Sequence, residues 1–383
     1  MASHDFQLAL TALFATLAAL GCVYCAFSAL WMVPFFAHET ITPEHYPPIT
    51  VIRPLHGDEH ALHHNLTSFF HQTYPGPVQY LFGVHDAGDA ALVTVETLRE
   101  RYPDIDMTVI ADARLHGPNR KISNLLNMFP HAKHDVIVFA DSDVAASDNH
   151  LKNVVATLQD PTVGLVSCLY RGNADPGFWP RMSAAASDYH FAPSVVVGLT
   201  LGLARPCFGP TIAMRRETLE SIGGLDPFAW HLAEDHAMGE AVRQHGQSVV
   251  IPSFIVSHAC VEKTFDAFVS HKLRNSRTVR AITPAGHLGS VVTHPFALAA
   301  LACLVSHDAP WTFGLLAITL AIRLFVGVRA NRALGQSAHG LWLLPLCDIL
   351  LFGVFLASFT SSLVVWRGHR FDVDGSGLMT ARK

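Results

Sequence analysis

The sequence predicts an α/β domain with a largely parallel sheet, held between apolar segments long enough to cross a bilayer. Three observations carry that prediction. Short β-branched and aromatic runs alternate with stretches of helical spacing, the pattern of strands joined by crossover helices. Half of the 383 residues are hydrophobic and only 15% are charged, against a usual charged share of about 25%. The missing charge is concentrated: Phe6 to Ala37 contains no Asp, Glu, Lys or Arg, and about 20 apolar residues span a bilayer.

The first element is therefore an uncleaved membrane anchor, within residues 1–40. A signal peptide would carry a basic start and a shorter apolar run of roughly 7–15 residues. Pro43, Pro47 and Pro48 then mark a linker into a polar domain, residues 41–285. Within it, Ile49 to Pro54 reads as a strand, and Glu59 to Phe70 as a helix with Leu62, Leu66, Phe69 and Phe70 on one side. Val78 to Val84 is a second strand, ending at His85-Asp86. Ala90 to Tyr102 is a helix, Met107 to Ala111 a strand, Lys121 to Met128 a short helix, and Asp135 to Ala140 a fourth strand.

Residues 286–383 form a C-terminal membrane region. Leu288 to Val305 and Trp311 to Val328 are two expected spans, the second interrupted by Arg323, costly if it faced lipid. Leu341 to Trp366 is a third hydrophobic stretch, broken by Pro345 and Asp348. Arg329 and Arg332 follow the second span and place that loop in the cytoplasm by the positive-inside rule. Arg367 and Arg370 follow the third stretch with the same preference. An even number of crossings after the domain satisfies both, so the third stretch is expected to be re-entrant or interfacial, and the domain cytoplasmic.

A net charge of −5 gives no sign of a nucleic-acid partner. Seven cysteines are scattered, with no disulfide framework or zinc ribbon. Among 24 histidines, His60, His63 and His64 form the only tight cluster, with His60 and His64 on one helix face. Without an acidic partner pattern, a polar helix face is preferred there to a metal site.

The most chemical motif is Asp141-Ser142-Asp143, at the end of the fourth strand. Two carboxylates at the carboxyl edge of a parallel sheet sit where open α/β folds bind ligands. Their spacing lets both reach one hard divalent cation that also carries substrate phosphates. A solvated turn gives the same local pattern. Three further features stand in the domain: Asp86 at a strand end, Glu234-Asp235 at the start of a helical stretch, and the basic run His271 to Arg280. Each has a plain structural alternative: an Asx-turn, a helix-capping pair and a surface helix on anionic lipid.

Taken in order, several stretches resemble one family. They are Asn65 to Pro75, Phe82-Gly83-Val84-His85-Asp86, Asn119-Arg120-Lys121-Ile122-Ser123-Asn124-Leu125, Asp141-Ser142-Asp143-Val144, Ala233-Glu234-Asp235 and Val365-Trp366-Arg367-Gly368. Together they resemble inverting, membrane-bound glycosyltransferases of the GT-A type, specifically the ceramide glucosyltransferase family with its bacterial hopanoid-glycosylating relatives. The resemblance implies a Rossmann-like GT-A domain and a UDP-sugar donor, UDP-glucose or UDP-N-acetylglucosamine. It also implies a membrane lipid acceptor, ceramide-like or a hopanoid polyol, and a bacterial inner membrane.

It assigns Asp86 to the uridine, Asp141 and Asp143 to a Mg²⁺ or Mn²⁺ ion and the diphosphate, and Asp235 to general-base catalysis. Its last box, Gln/Arg-x-x-Arg-Trp, is altered to His271-Lys272-Leu273-Arg274-Asn275, and Arg274 is the matching arginine. Arg274 and Lys121 are expected at the diphosphate, where a planar guanidinium suits phosphate. Lys121 and Asn119 stay open between donor contact and loop structure, as do Gly209 and Thr211 between pocket lining and a turn. His258 is a weaker addition, able to reach the site from a strand end. A processive polysaccharide synthase of the same fold would need more spans and an intact Gln-x-x-Arg-Trp box. A catalytically silent scaffold would not need the acidic set.

Overall fold

The computed structural model describes residues 2–37, 42–57, 59, 61–306, 309–336, 338–366, 369–375 and 377–381. Helix α1 (Ala2–Phe36) is the apolar N-terminal stretch. The polar domain begins with β1 (Ile49–Pro54), α2 (Leu62–Phe70), β2 (Val78–Val84), α3 (Ala91–Arg101), β3 (Asp106–Ala111), α4 (Arg120–Met128), β4 (Val136–Ala140) and β5 (Val144–Ala145). It continues through α5 (His150–Leu158), β6 (Val163–Ser167), β7 (Leu169–Ala174), α6 (Phe178–Ala186), α7 (Ala192–Thr200), β8 (Thr211–Arg215) and α8 (Arg216–Ser221). Next come α9 (Glu234–Gln244), β9 (Ser248–Val250), β10 (Ile255–Cys260) and α10 (Phe265–Ile282). The last elements are α11 (Pro284–Gly289), α12 (Pro295–Ser306), α13 (Pro310–Leu334), α14 (Leu344–Ser358), β11 (Leu363–Trp366), β12 (His369–Val373) and β13 (Met379–Ala381).

Strand residues alternate between two cores, because successive side chains of a strand face opposite ways. Val51, Phe82 and Val138 join one cluster with Leu62, Leu66 and Phe69 of α2. Ile52, Leu81 and Ile137 join the other with Ile122, Leu125 and Met128 of α4. Full burial of each such side chain is worth about 1.5–3 kcal/mol. The expected helix from Glu59 starts only at Leu62, and His60 of the histidine cluster lies outside the described residues.

The main sheet has seven strands in the order β3-β2-β1-β4-β8-β6-β9. β1 pairs in parallel with β2 and with β4, and β2 with β3. β8 runs antiparallel to both β4 and β6, so the expected parallel sheet is mixed in its second half. Chain order runs outward from β1 to β3, then returns to place β4 on the other flank of β1. This makes a topological switch point at the carboxyl ends of β1 and β4, where open α/β sheets bind ligands. A second sheet, β5-β10-β7, branches off just beyond β4.

Among the described residues, three helices are long and apolar enough to cross a membrane: His4–Phe36, Pro310–Leu334 and Gly340–Ser358. The expected continuous span from Leu288 to Val305 is instead two helical pieces, Pro284–Thr293 and Pro295–Ser306, meeting at 68°. Pro295 explains the break, since proline lacks an N–H and disfavours helix in the residue before it. Pro345 does not break the third stretch; it lies in the first turn of α14, where proline is tolerated. That helix ends at Ser358, and the rest of the stretch is strand β11. Arg323 does not face lipid. It is buried against Asp348, with Nε and Nη2 donating to the two carboxylate oxygens at 2.6 and 2.7 Å.

Candidate functional site

Asp141 and Asp143 flank a tight turn at the switch point. The Val144 N–H donates to the Asp141 carbonyl at 3.3 Å, and Asp141 N–H to the Pro210 carbonyl at 3.2 Å. Asp and Ser favour such turns. The turn is clamped by a cation that the strand pattern did not single out as functional. Arg53 is fully buried in β1; its Nη2 donates to the carbonyls of Asp141 and Val144 at 2.6 and 2.8 Å. Its Nη1 donates to the Asn65 carbonyl at 2.9 Å, and its guanidinium lies 4.4 Å from the Phe69 ring centroid. Asn65 Nδ2 in turn donates to the Ser142 carbonyl at 3.1 Å, and the Ser142 hydroxyl donates to the Glu59 carboxylate. A lone arginine inside an otherwise apolar strand is the sequence signal that marks Arg53.

Four side chains converge beside this turn. Lys121 Nζ lies 2.7 Å from Asp141 Oδ1 and 3.1 Å from Glu234 Oε1. Asn119 caps α4 by accepting from the Ile122 N–H at 3.0 Å, while its Nδ2 donates to Glu234 Oε2 at 3.1 Å. Glu234 is thereby held from both sides. Asp235 opens α9 beside it, with Oδ1 accepting from the His236 N–H at 2.8 Å. A Cβ placed on Gly209 would stand 3.2 Å from Lys121 Nζ, 3.5 Å from Asp235 Oδ2 and 3.8 Å from Asp141 Oδ2. Gly209 thus lines the site, and a methyl group there would displace Lys121 Nζ by a few tenths of an ångström.

The electrostatics separate the carboxylates. Burial, reinforced by Glu234, pushes Asp235 up to about 7. Burial also raises Asp141, with Asp143 adding to the rise and Lys121 opposing it. Asp143 goes the other way: burial opposes ionisation, but His258, with Lys121 and Arg53, outweighs it and holds the carboxyl at about 2. His258 Nε2 lies 3.2 Å from Asp143 Oδ2. Burial disfavours the charge of Lys121, yet Asp141 and Glu234 keep its ammonium above the ordinary range.

The donor set fits a divalent cation. Asp143 Oδ1 is buried without a hydrogen-bond partner, an oxygen acceptor of the hard type such ions prefer. The Asp141 and Asp143 side chains remain 28% and 38% exposed, so a solute can reach both. Among the described residues no three His, Cys, Asp or Glu side chains group into a complete ligand set. The two carboxylates would therefore supply only part of a coordination shell.

The other expected residues sit around this cluster. Asp86 is exposed at the end of β2, with β1 between it and β4, and its Oδ1 accepts from the Gly88 N–H at 2.9 Å. Arg274 lies on α10, half-buried, with Nε 3.5 Å from Asn275 Oδ1. Burial raises the phenol of half-buried Tyr170, with Asp235 and Asp143 adding to the rise and Arg274 opposing it. Tyr170 stacks on Phe191 at 4.9 Å and contacts Phe208 and His258 at 6.3 and 5.2 Å, forming an aromatic shelf beside the carboxylates. Thr211 is buried at the start of β8. A cavity of about 770 Å³ lies apart from the cluster, lined by His64, Asp148, Arg171 and Leu334 among others, and by none of the carboxylates above.

The family model described as glycosyl transferase family 21 matches residues 12–379. Ceramide glucosyltransferase 1 of Caenorhabditis elegans is 25% identical over 248 residues, 62% of this chain and 52% of the relative. The ceramide glucosyltransferase of Candida albicans is 36% identical over 131 residues, 31% of this chain and 24% of the relative. The chain thus spans about half the length of the first relative and about a quarter of the second. Among solved structures, the mannosyltransferase PcManGT from Pyrobaculum calidifontis, in complex with GDP-Man and Mn²⁺, superposes with a TM-score of 0.52 at 20% identity. That match covers 92% of this chain and 99% of the other, and it shows a GT-A-like fold.

Proposed function

Because the chain belongs to glycosyl transferase family 21, we propose that it moves a hexose or N-acetylhexosamine from a UDP-sugar to a hydroxyl of a membrane lipid. The transfer inverts the anomeric carbon. One observation carries this reading: Lys121, Asp141 and Asp235 converge on Gly209 beside the Asp141-Ser142-Asp143 turn. Asp235 takes the proton from the acceptor hydroxyl as it attacks. Its carboxyl, raised to about 7, is matched to that task near neutral pH. Glu234, fixed by Lys121 and Asn119, positions this base and raises its proton affinity.

Lys121 and Arg274 offset the charge that grows on the departing diphosphate. Asp143 and Asp141 would hold Mg²⁺ or Mn²⁺, which when bound acts as a Lewis acid on the diphosphate. Asp86, at the end of β2 on the far side of β1, meets the uridine. The aromatic shelf of Tyr170, Phe191 and Phe208 offers an apolar face to the lipid acceptor. A ceramide-like sphingolipid and a hopanoid polyol both present a hydroxyl above an apolar body.

The domain lies in the cytoplasm in this reading. The C-terminal end of α13, which carries Arg329 and Arg332, docks on the domain. Arg171 Nη1 donates to the Leu334 carbonyl at 2.6 Å, and Gln336 Nε2 to the Gly172 carbonyl at 3.0 Å. The positive-inside rule then assigns both to the cytoplasmic side. The third hydrophobic stretch is re-entrant or interfacial, because both its flanks return to the domain. Leu343 and Leu344 pack with Phe268 and Leu334, and Leu363 accepts from Arg277 at 2.7 Å.

Incubating the purified protein with Mg²⁺ or Mn²⁺, a panel of UDP-sugars and a total lipid extract tests the proposal by product mass. A lipid gaining one hexose or N-acetylhexosamine is expected. Metal-dependent use of a sugar nucleotide with no lipid product, or a polymeric product, contradicts it.

A further inference from the structure

Arg277 and Arg280 occupy successive turns of α10 and belong to no part of the carboxylate cluster. Arg277 Nη1 donates to the Leu363 carbonyl at 2.7 Å, and Arg280 Nη2 to the Ser361 carbonyl at 2.8 Å. One arm of each is thus engaged by the segment after α14. The charges themselves are uncompensated: among the described residues no carboxylate pairs with either. The Nε of each is buried without a partner. Burial and the neighbouring Arg280 push Arg277 below its ordinary value, a cost that a bound anion would relieve.

The two arginines line a cavity of about 390 Å³ with Pro284, Leu288, Phe359 and Ser362. The Arg280 guanidinium lies 5.7 Å from the Phe359 ring centroid. The place is telling. Phe359 directly follows the membrane-length helix Gly340–Ser358, and Pro284 begins the bent pair that ends at Ser306. Leu288 is 61% exposed and Phe359 43%, so an apolar rim stands beside two cations at the foot of the hydrophobic helices. A phosphate accepts strong charge-assisted bonds from arginine, and acyl chains can lie along Leu288 and Phe359.

We infer that this pocket binds the phosphate of an anionic membrane phospholipid, holding α10 and the segment after α14 to the bilayer surface. The inference rests on the chain being embedded in a bilayer, and not on the donor or acceptor proposed above. Native mass spectrometry of the delipidated full-length protein tests it, with phosphatidylglycerol, phosphatidylcholine and inorganic phosphate titrated separately and in competition. Phosphatidylglycerol is expected to bind at lower concentration than phosphatidylcholine, and inorganic phosphate to leave that adduct in place.

Ser362→Glu puts a carboxylate in the pocket while keeping both arginines and their carbonyl contacts. It is expected to weaken phosphatidylglycerol binding about tenfold or more, as is Arg277→Gln with Arg280→Gln. If the double variant misfolds, Ser362→Glu decides alone. Equal binding of the two lipids, wild-type affinity in Ser362→Glu, or displacement of the lipid by inorganic phosphate overturns the inference.

Discussion

Asp235 and Asp143 sit in one site yet titrate in opposite directions, a split that suits the roles proposed for them. Asp235, raised to about 7, is protonated below that pH and cannot accept a proton there. Transfer is therefore expected to rise with pH through about 7 and to fall away on the acid side, read from kcat/KM of the wild-type protein. Asp235→Asn is expected to lower kcat by about 10²–10⁴-fold with UDP-sugar affinity little changed, measured by titration calorimetry. Asp143, held near 2, stays ionised across that range. Asp143→Ala is expected to weaken donor binding in the presence of Mn²⁺, while binding measured with chelator changes little. Equal losses with and without metal would remove Asp143 from the cation. These acids were legible in the sequence because each stands at a strand or helix end, as does Lys121. For Arg53 the sequence offered only an arginine out of place in an apolar strand; its role was hidden because its partners are the backbone carbonyls of Asn65, Asp141 and Val144.

At the scale of elements, α13 and α14 are joined by the Arg323–Asp348 pair, buried to 3% and 0% exposure. Removing one partner leaves a lone charge inside the helix packing. Arg323→Leu is expected to destabilise by about 3–5 kcal/mol, and Arg323→Leu with Asp348→Leu to recover most of it, by thermal unfolding in detergent. Sequence reading placed Arg323 and Asp348 on separate apolar stretches, each as a defect; only the packing shows that they answer one another. The strands β1, β2 and β4 were legible nearly to the residue because their apolar runs are short and bounded. The reversed direction of β8 and the separate sheet β5-β10-β7 were not, since strand pairing joins segments far apart in sequence. The bend at Pro295 escaped for another reason: an apolar run has the same composition whether straight or folded.

Over the whole molecule, the C-terminal sheet β11-β12-β13 comes back to the carboxylate site. Leu378 bridges His231, and the Leu232 N–H donates to the Gly377 carbonyl at 3.0 Å, just before Glu234-Asp235. In the proposed topology the domain and the C-terminal sheet therefore share one side of the bilayer. Cysteines introduced at Glu96 and at Thr380, both exposed, are expected to react with an impermeant maleimide from the same face of sealed vesicles. Labelling from opposite faces would require an odd number of crossings between them. In the proposed function, a carboxylate base for the acceptor hydroxyl and cationic groups for the departing diphosphate suit a single displacement. The most direct test is the anomeric configuration of the glycolipid made from an α-linked UDP-sugar, read from the proton NMR coupling of the anomeric centre. A β-linked sugar on a lipid hydroxyl is the predicted result; an α linkage, or free sugar with no glycolipid, contradicts it.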